Sequence, residues 1–250
     1  MRYFMFLEYD GSSYCGWQFQ PHSPSVQQCI EDSLALFLRS RVNVTGAGRT
    51  DAGVHASQMV AHFETEEPKD CDWMTDKLNG ILPHDIAVHR IVPVKDDAHA
   101  RFDALWRTYH YNICLAKSAF GYAYSWFLPN RPDFELMNEA AALLMDTADF
   151  TSFSKLHTDT KTNICHLREA CWSPVDDDRW VFTITADRFL RNMVRAIVGT
   201  LMEVGRHRMT VDAFWKVIES RNRSSAGDSA PAQGLFLSKI EYPDSIFIKV

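Results

Sequence analysis

The stretch Leu105-Trp106-Arg107-Thr108-Tyr109-His110-Tyr111-Asn112-Ile113-Cys114-Leu115 decides how the chain is organised. Aromatic and β-branched side chains suit a pleated strand. Alternation places Arg107, Tyr109 and Tyr111 on one face and Trp106, Thr108 and His110 on the other. Upstream lies an α+β half. Residues 2–9 alternate as a strand and run into the turn Tyr9-Asp10-Gly11. Ser25 with Gln28 makes a capping box, and Val26, Ile30, Leu34 and Phe37 fall on one face of a helix ending near Arg39. Met59–Phe63 and Ile86–Val94 read as strands, with a short helix around Trp73–Asn79 between them.

Downstream the pattern is similar. A helix is expected over Phe134–Met145 with Leu136, Ala140 and Leu143 inward, then a strand pair, 164–173 and 179–186, joined through Pro174 and Asp176-Asp177-Asp178. Between Phe189 and Val204, Leu190, Val194, Ile197 and Leu201 form an apolar helical stripe, and Gly205 stands at the expected C-terminal cap. Arg188, Arg191 and Arg195 form a neighbouring stripe. It reads either as a site for several phosphates or as the solvated face of a surface helix. A helix capped by Thr210 turns Phe214, Val217 and Ile218 inward, the loop Asn222–Gly234 follows, and the last strand lies near Leu235–Tyr242. Two α+β halves, 1–104 and 105–250, suggest a duplicated architecture, although no residue-level repeat is visible.

Composition narrows the class. A chain of 250 residues with 46% hydrophobic and 23% charged content has enough apolar surface for one large core or two smaller ones and no disordered tract. No apolar run approaches membrane-spanning length, and Met1-Arg2-Tyr3-Phe4-Met5-Phe6-Leu7 is too short for a signal-peptide core, so a cytoplasmic protein without a membrane segment is expected. Six cysteines without a C-x-x-C pair fit reduced, packed thiols, and no metal site is expected at Cys165-His166. The net charge of −6 requires that any nucleic-acid contact come from locally concentrated basic residues.

Chemistry concentrates in Gly46-Ala47-Gly48-Arg49-Thr50-Asp51-Ala52-Gly53-Val54-His55. This run lacks the third glycine of a dinucleotide fingerprint and the Lys-Ser/Thr of a phosphate loop, so no nucleotide cofactor is expected. It offers one carboxylate on a glycine-permissive backbone, with a guanidinium two residues away. By residue chemistry alone, Asp51 reads first as a turn former.

Gly48-Arg49-Thr50-Asp51-Ala52-Gly53-Val54-His55 resembles the central motif of the TruA-type tRNA pseudouridine synthases. Other blocks agree in order: Tyr9-Asp10-Gly11 with Gly16-Trp17-Gln18, Ala100-Arg101-Phe102 with Arg107-Thr108-Tyr109-His110-Tyr111, Asp149-Phe150-Thr151-Ser152-Phe153, Asn192-Met193-Val194-Arg195, and Ala230-Pro231-Ala232. One departure follows the core motif, where Gln58-Met59-Val60 replaces a more usual Gly-Gln-Val and removes any polar role at residue 59.

The resemblance implies two ferredoxin-like, RRM-like α+β lobes joined in one mostly antiparallel sheet with a central cleft, usually as a homodimer whose bound tRNA spans both subunits. The implied reaction is isomerisation of uridine to pseudouridine at position 38, 39 or 40 of the tRNA anticodon stem-loop, without a cofactor. Asp51 would be the nucleophile, and Tyr109 would stack on the flipped uracil and serve in proton removal. Arg195 would face Asp51 and keep it ionised, while Arg49 would fill the space vacated by the flipped nucleotide or hold its phosphate. For Tyr109 the alternative is a strand tyrosine packed on the core. Two rival functions are a tRNA-binding or chaperone protein on the same scaffold and an aspartate-dependent nucleoside glycosidase. The intact Arg49-Thr50-Asp51 with Tyr109 argues against the first, and the second would usually show two working carboxylates.

Overall fold

Five consecutive side chains from Tyr3 to Leu7 are buried, as expected of a strand covered on both faces. In the computed structural model, which describes residues 1–155 and 161–248, they belong to β1 (Arg2–Tyr9). This strand lies between β3 (His55–Glu64) and β4 (Ile86–Val94), antiparallel to both, with Phe4 paired to His62 and to Val92. The short β2 (Thr45–Gly46) pairs with β3. Helix α1 (Val26–Leu38) starts where the Ser25 hydroxyl accepts the Gln28 N–H at 3.3 Å, and it stops at Arg39 in the left-handed region. Val26, Ile30 and Leu34 are fully buried, whereas Phe37 sits at the margin, edge-on to Trp73 of α2 (Cys71–Ile81). The other half of the chain supplies β5 (Trp106–Cys114), β6 (Trp126–Phe127), α3 (Phe134–Ala142), β7 (Leu167–Pro174), β8 (Arg179–Ala186), α4 (Met193–Gly205), α5 (Val211–Ser220) and β9 (Leu235–Glu241). Nine mostly antiparallel strands and five α-helices among the described residues make the mixed class expected from the sequence.

Packing gathers the chain into two compact units, Met1–Arg107 with Leu237–Val250, and Thr108–Phe236. The sequence reading put all of 105–250 in the second half. Residues 237–248 instead complete the first unit, whose strand order is β4-β1-β3-β9. Phe4 packs edge-on against Tyr242 and Phe247, and backbone bonds run from Lys95 to Ile246 and from Ile248 to Pro93.

The second unit orders its strands β5-β8-β7, with β6 parallel to β5. Asp176 closes the β7–β8 hairpin by accepting the N–H groups of Asp178 and Arg179 at 3.1 and 2.8 Å. Helix α3 differs in facing from the sequence reading. Phe134, Met137, Ala140 and Ala141 are buried while Leu136 sits at the margin. The α-helix ends at Ala142, short of the expected Met145, in a 3-10 turn Leu143–Asp146 with Leu144 buried and Leu143 at the margin. The Phe134 ring stacks on Trp180 at 3.8 Å and decides which side turns in. Helix α4 is buried on nearly every side, and a Cβ at Gly199 would lie 1.7 Å from the Asp228 carbonyl oxygen. Glycine there admits the 222–234 loop.

Two imidazoles shape the turn that leads out of β4. The Ala100 N–H donates to His62 Nδ1 at 3.1 Å, and those of Arg101 and Phe102 donate to His99 Nδ1 at 3.1 and 3.3 Å. Both rings therefore work as neutral acceptors. Burial, then His99 and Arg2, pushes His62 down to about 4, and burial with Arg2 also lowers His99. In the unfolded chain both titrate near their ordinary value of about 6.5. Between the two values the unfolded state binds protons that the folded state refuses, so stability is present above about pH 6.5 and is lost as pH falls toward 4. His62 should account for on the order of 2 kcal/mol of that loss. Urea midpoints measured across this window should fall, and His62→Asn, whose amide oxygen can accept from Ala100, should flatten the decline. An equally steep decline in the variant would remove His62 from the account.

Candidate active site

The glycine-rich segment bridges β2 and β3, and its backbone is clamped by the segment that leaves β1. The Trp17 N–H donates to the Thr50 carbonyl at 3.3 Å, and the Gly53 N–H donates to that of Tyr14 at 3.3 Å. Gly16 adopts φ +100°, and a Cβ there would lie 2.2 Å from the Thr50 oxygen, so only glycine fits the approach. Gly11 N–H donates to Nδ1 of the buried His55 at 3.1 Å, tying the first residue of β3 to the same turn. Within the loop, Val54 N–H bonds back to the Asp51 carbonyl at 3.1 Å.

These restraints sort three consecutive side chains. Thr50 is buried, and its hydroxyl meets that of Tyr9 at 2.9 Å. Arg49 is exposed on one side of it, and Asp51 is half-buried on the other. The result is a half-buried aspartate on a loop held by five hydrogen bonds through its backbone and its neighbouring side chains. Such support is what a carboxylate needs to hold one geometry against a substrate.

Spacing does not reveal the bonds of Tyr9 to Thr50, His55 to Gly11 or Arg107 to Ala47, which join residues 41, 44 and 60 positions apart. The Arg107 guanidinium donates to the carbonyls of Ala47 at 3.2 Å and Ala104 at 3.1 Å, and also to that of Arg101. It thereby staples the turn after β4 to the start of the glycine-rich loop. Met59 is fully buried and apolar, and the polar function lies next door, where Gln58 Oε1 accepts the Ile240 N–H at 2.7 Å.

The remaining candidates belong to the second unit. Tyr109, on β5, is 9% exposed and meets the edge of Phe189 at 5.0 Å. Its neighbour Tyr111 is fully buried, with the hydroxyl donated to the Pro231 carbonyl at 2.9 Å and the phenol pushed upward by burial. Arg195 lies in the first turn of α4, half-buried, and donates through Nε to the Ala230 carbonyl at 2.7 Å. Arg188 and Arg191 do not continue a helical stripe with it. The helix begins at Met193, after Asn192 in the left-handed region (φ 65°), so both arginines lie in the irregular segment before it. Arg191 is exposed and Arg188 half-buried. Arg188 sits near the Cys165 thiol, which burial pushes up to about 12 despite that positive charge.

Comparison with known proteins identifies a family. A family model described as tRNA pseudouridine synthase matches residues 5–103 and 140–243. The chain is 58% identical over 247 residues to the tRNA pseudouridine synthase A of Bacteroides fragilis, covering 98% of each protein. It is 53% identical over 250 residues to that of Porphyromonas gingivalis, covering 99% of each. Against the protein of the same name from Clostridium acetobutylicum it is 38% identical over 238 residues, covering 94% of this chain and 97% of that one. With near-complete coverage on both sides and a family model spanning most of both units, the chain belongs to the tRNA pseudouridine synthase family and is an isomerase of that family.

Proposed function

We propose that the protein converts uridine to pseudouridine at position 38, 39 or 40 of the tRNA anticodon stem-loop, with Asp51 as nucleophile and no cofactor. The carrying observation is the half-buried Asp51 carboxylate on a tightly clamped loop, in a chain that aligns end to end with tRNA pseudouridine synthases A. The half that begins at Met1 supplies the nucleophile loop with Arg49, and Thr108–Phe236 supplies Tyr109, Arg188, Arg191 and Arg195. The enzyme acts in the cytoplasm as a homodimer, each tRNA spanning both subunits.

The target base first leaves its stack, at a cost of a few kcal/mol. Asp51 attacks the sugar carbon as its bond to uracil N1 breaks, and the base turns and rejoins that carbon through C5, releasing the Asp51 carboxylate. A carboxylate is suited to this because it can meet an oxocarbenium-like sugar carbon directly. C5 then loses its proton and N1 ends with one, so reactant and product are isomers and no group or electron carrier is consumed. Tyr109 stacks on the extruded uracil and takes part in removing the C5 proton. Arg195 contributes to holding the substrate, and Arg49 holds the phosphate or the space of the flipped nucleotide.

Asp51→Asn is nearly isosteric but cannot act as a carboxylate nucleophile, so pseudouridine should be undetectable after nuclease digestion while a gel shift still shows complexes with unmodified tRNA. Product at even about a tenth of the wild-type rate would remove Asp51 from this role.

Tyr109→Phe keeps the stacking face and should lose turnover by about a hundredfold or more if the hydroxyl carries the proton. Tyr109→Leu should in addition raise KM by about tenfold, from lost stacking. Wild-type kinetics in both variants would make Tyr109 a core residue only.

Affinity for tRNA should fall steeply with salt. Arg188→Ala and Arg191→Ala should each flatten the slope of log K against log salt by about 0.7 to 0.9 if each meets one phosphate. Unchanged affinity and slope would exclude both from the RNA interface.

A further inference from the structure

The turn from His99 to Asp103 spends an unusual number of hydrogen bonds on presenting two side chains. His62 and His99 take the N–H groups of residues 100, 101 and 102. Asp103 Oδ2 accepts the His99 N–H at 2.7 Å, and the Asp103 N–H returns to the His99 carbonyl at 3.0 Å. Tyr242 donates to the carbonyl of Ala100, and Arg107 donates to that of Arg101. At the tip of this fixed turn, Phe102 is 74% exposed and Arg101 is exposed beside it.

An aromatic ring this open gains little from burial, so packing does not account for holding it so firmly. The His99 ring supports it at 4.2 Å between centroids, tilted by 36°, and the Arg101 guanidinium lies over the ring 5.8 Å from its centre, far enough to leave it 74% exposed. A fixed aromatic face with a guanidinium alongside is the recurring platform for a splayed-out base, with the cation meeting the adjoining phosphate. Because the turn is rigid before anything binds, little ordering cost opposes stacking. Arg107 ties the same turn to Ala47, at the start of the loop carrying Asp51. In a protein of net charge −6, a guanidinium displayed in this way also favours an anionic partner over an apolar one.

We propose that Phe102 and Arg101 form a stacking platform for an unpaired base of the RNA substrate, beside the nucleophile loop and apart from the flipped uridine. The proposal rests on the tRNA reading above. Its test compares wild type, Phe102→Ala and Phe102→Trp for binding and conversion of unmodified tRNA. The same proteins are titrated against anticodon stem-loop RNAs carrying 2-aminopurine at each loop position in turn. Phe102→Ala should weaken binding by about tenfold and raise KM by more than it lowers kcat, and Phe102→Trp should restore affinity. One loop position should show 2-aminopurine quenching with wild type that disappears in Phe102→Ala, while urea midpoints stay together. Wild-type affinity and quenching in Phe102→Ala would overturn the platform. So would a change in its oligomeric mass without a change in RNA affinity, which would make Phe102 a protein-contact residue. Wild type that neither binds nor converts tRNA would overturn the functional reading along with it, whereas active wild type with a silent Phe102→Ala would sink the platform alone.

Discussion

Two pieces of backbone, 11–17 and 50–54, run against each other with no side chain between them, and the N–H groups of Trp17 and Gly53 close the gap in opposite directions. The order of side chains in the glycine-rich loop follows from that approach. It turns Thr50 inward to Tyr9, leaving Arg49 exposed and Asp51 half-buried. The first piece continues β1 and the second leads into β3, which pair along most of their length, so the loop inherits the register of the sheet. The sheet in turn is held by an apolar strand buried on both faces, with Tyr3, Phe4, Met5 and Leu7 almost completely removed from water. Each such side chain contributes roughly 1.5 to 3 kcal/mol of burial, far more than any one hydrogen bond in the loop.

Arginines in this protein often bond to carbonyls. Arg107 reaches Ala47, Ala104 and Arg101, Arg195 reaches Ala230, and Arg223 reaches Ala226 and Gly227, whereas Arg2 divides its donors between the Ala98 carbonyl and the Glu64 carboxylate. A carbonyl partner orients a guanidinium without cancelling its charge, whereas a carboxylate partner does both. An acidic protein that must approach a polyanion gains from the first arrangement, because positive potential is fixed in place where the fold needs a brace.

Much of the architecture was legible because local chemistry decided it. Ser25 and Thr210 cap the helices they were expected to cap, and the bounds of β4 follow its apolar run. Where two registers fit the same spacing, local chemistry was silent. Leucines at 136, 143 and 144 offer α3 more than one apolar stripe, and packing of Phe134 on Trp180 selects among them. The arginine stripe failed for a related reason. The apolar period runs back to Leu190, but the backbone leaves the helical region at Asn192, and no capping side chain announces that break. At the candidate site, residue chemistry could see Asp51 only as a turn former, and the resemblance gave it a role. Tyr9–Thr50, His62–Ala100 and Gln58–Ile240 join residues 41, 38 and 182 positions apart, a separation at which spacing carries no signal.

The return of residues 237–248 to the unit begun at Met1 also orders events during synthesis. Thr108–Phe236 is one continuous stretch and has all its strands and helices once its own last residue has been made. The unit carrying Asp51 is made first but is finished last. Phe4 and Phe6 lack Phe247, and β3 lacks β9, until the ribosome has passed Phe247. The glycine-rich loop is therefore built on a sheet with an open edge until β9 is made, and loop-closure entropy over more than half of the 250 residues must be met when β9 pairs. The segment 46–55 emerges early, yet the edge of β3 beside it is covered only after β9 has been made.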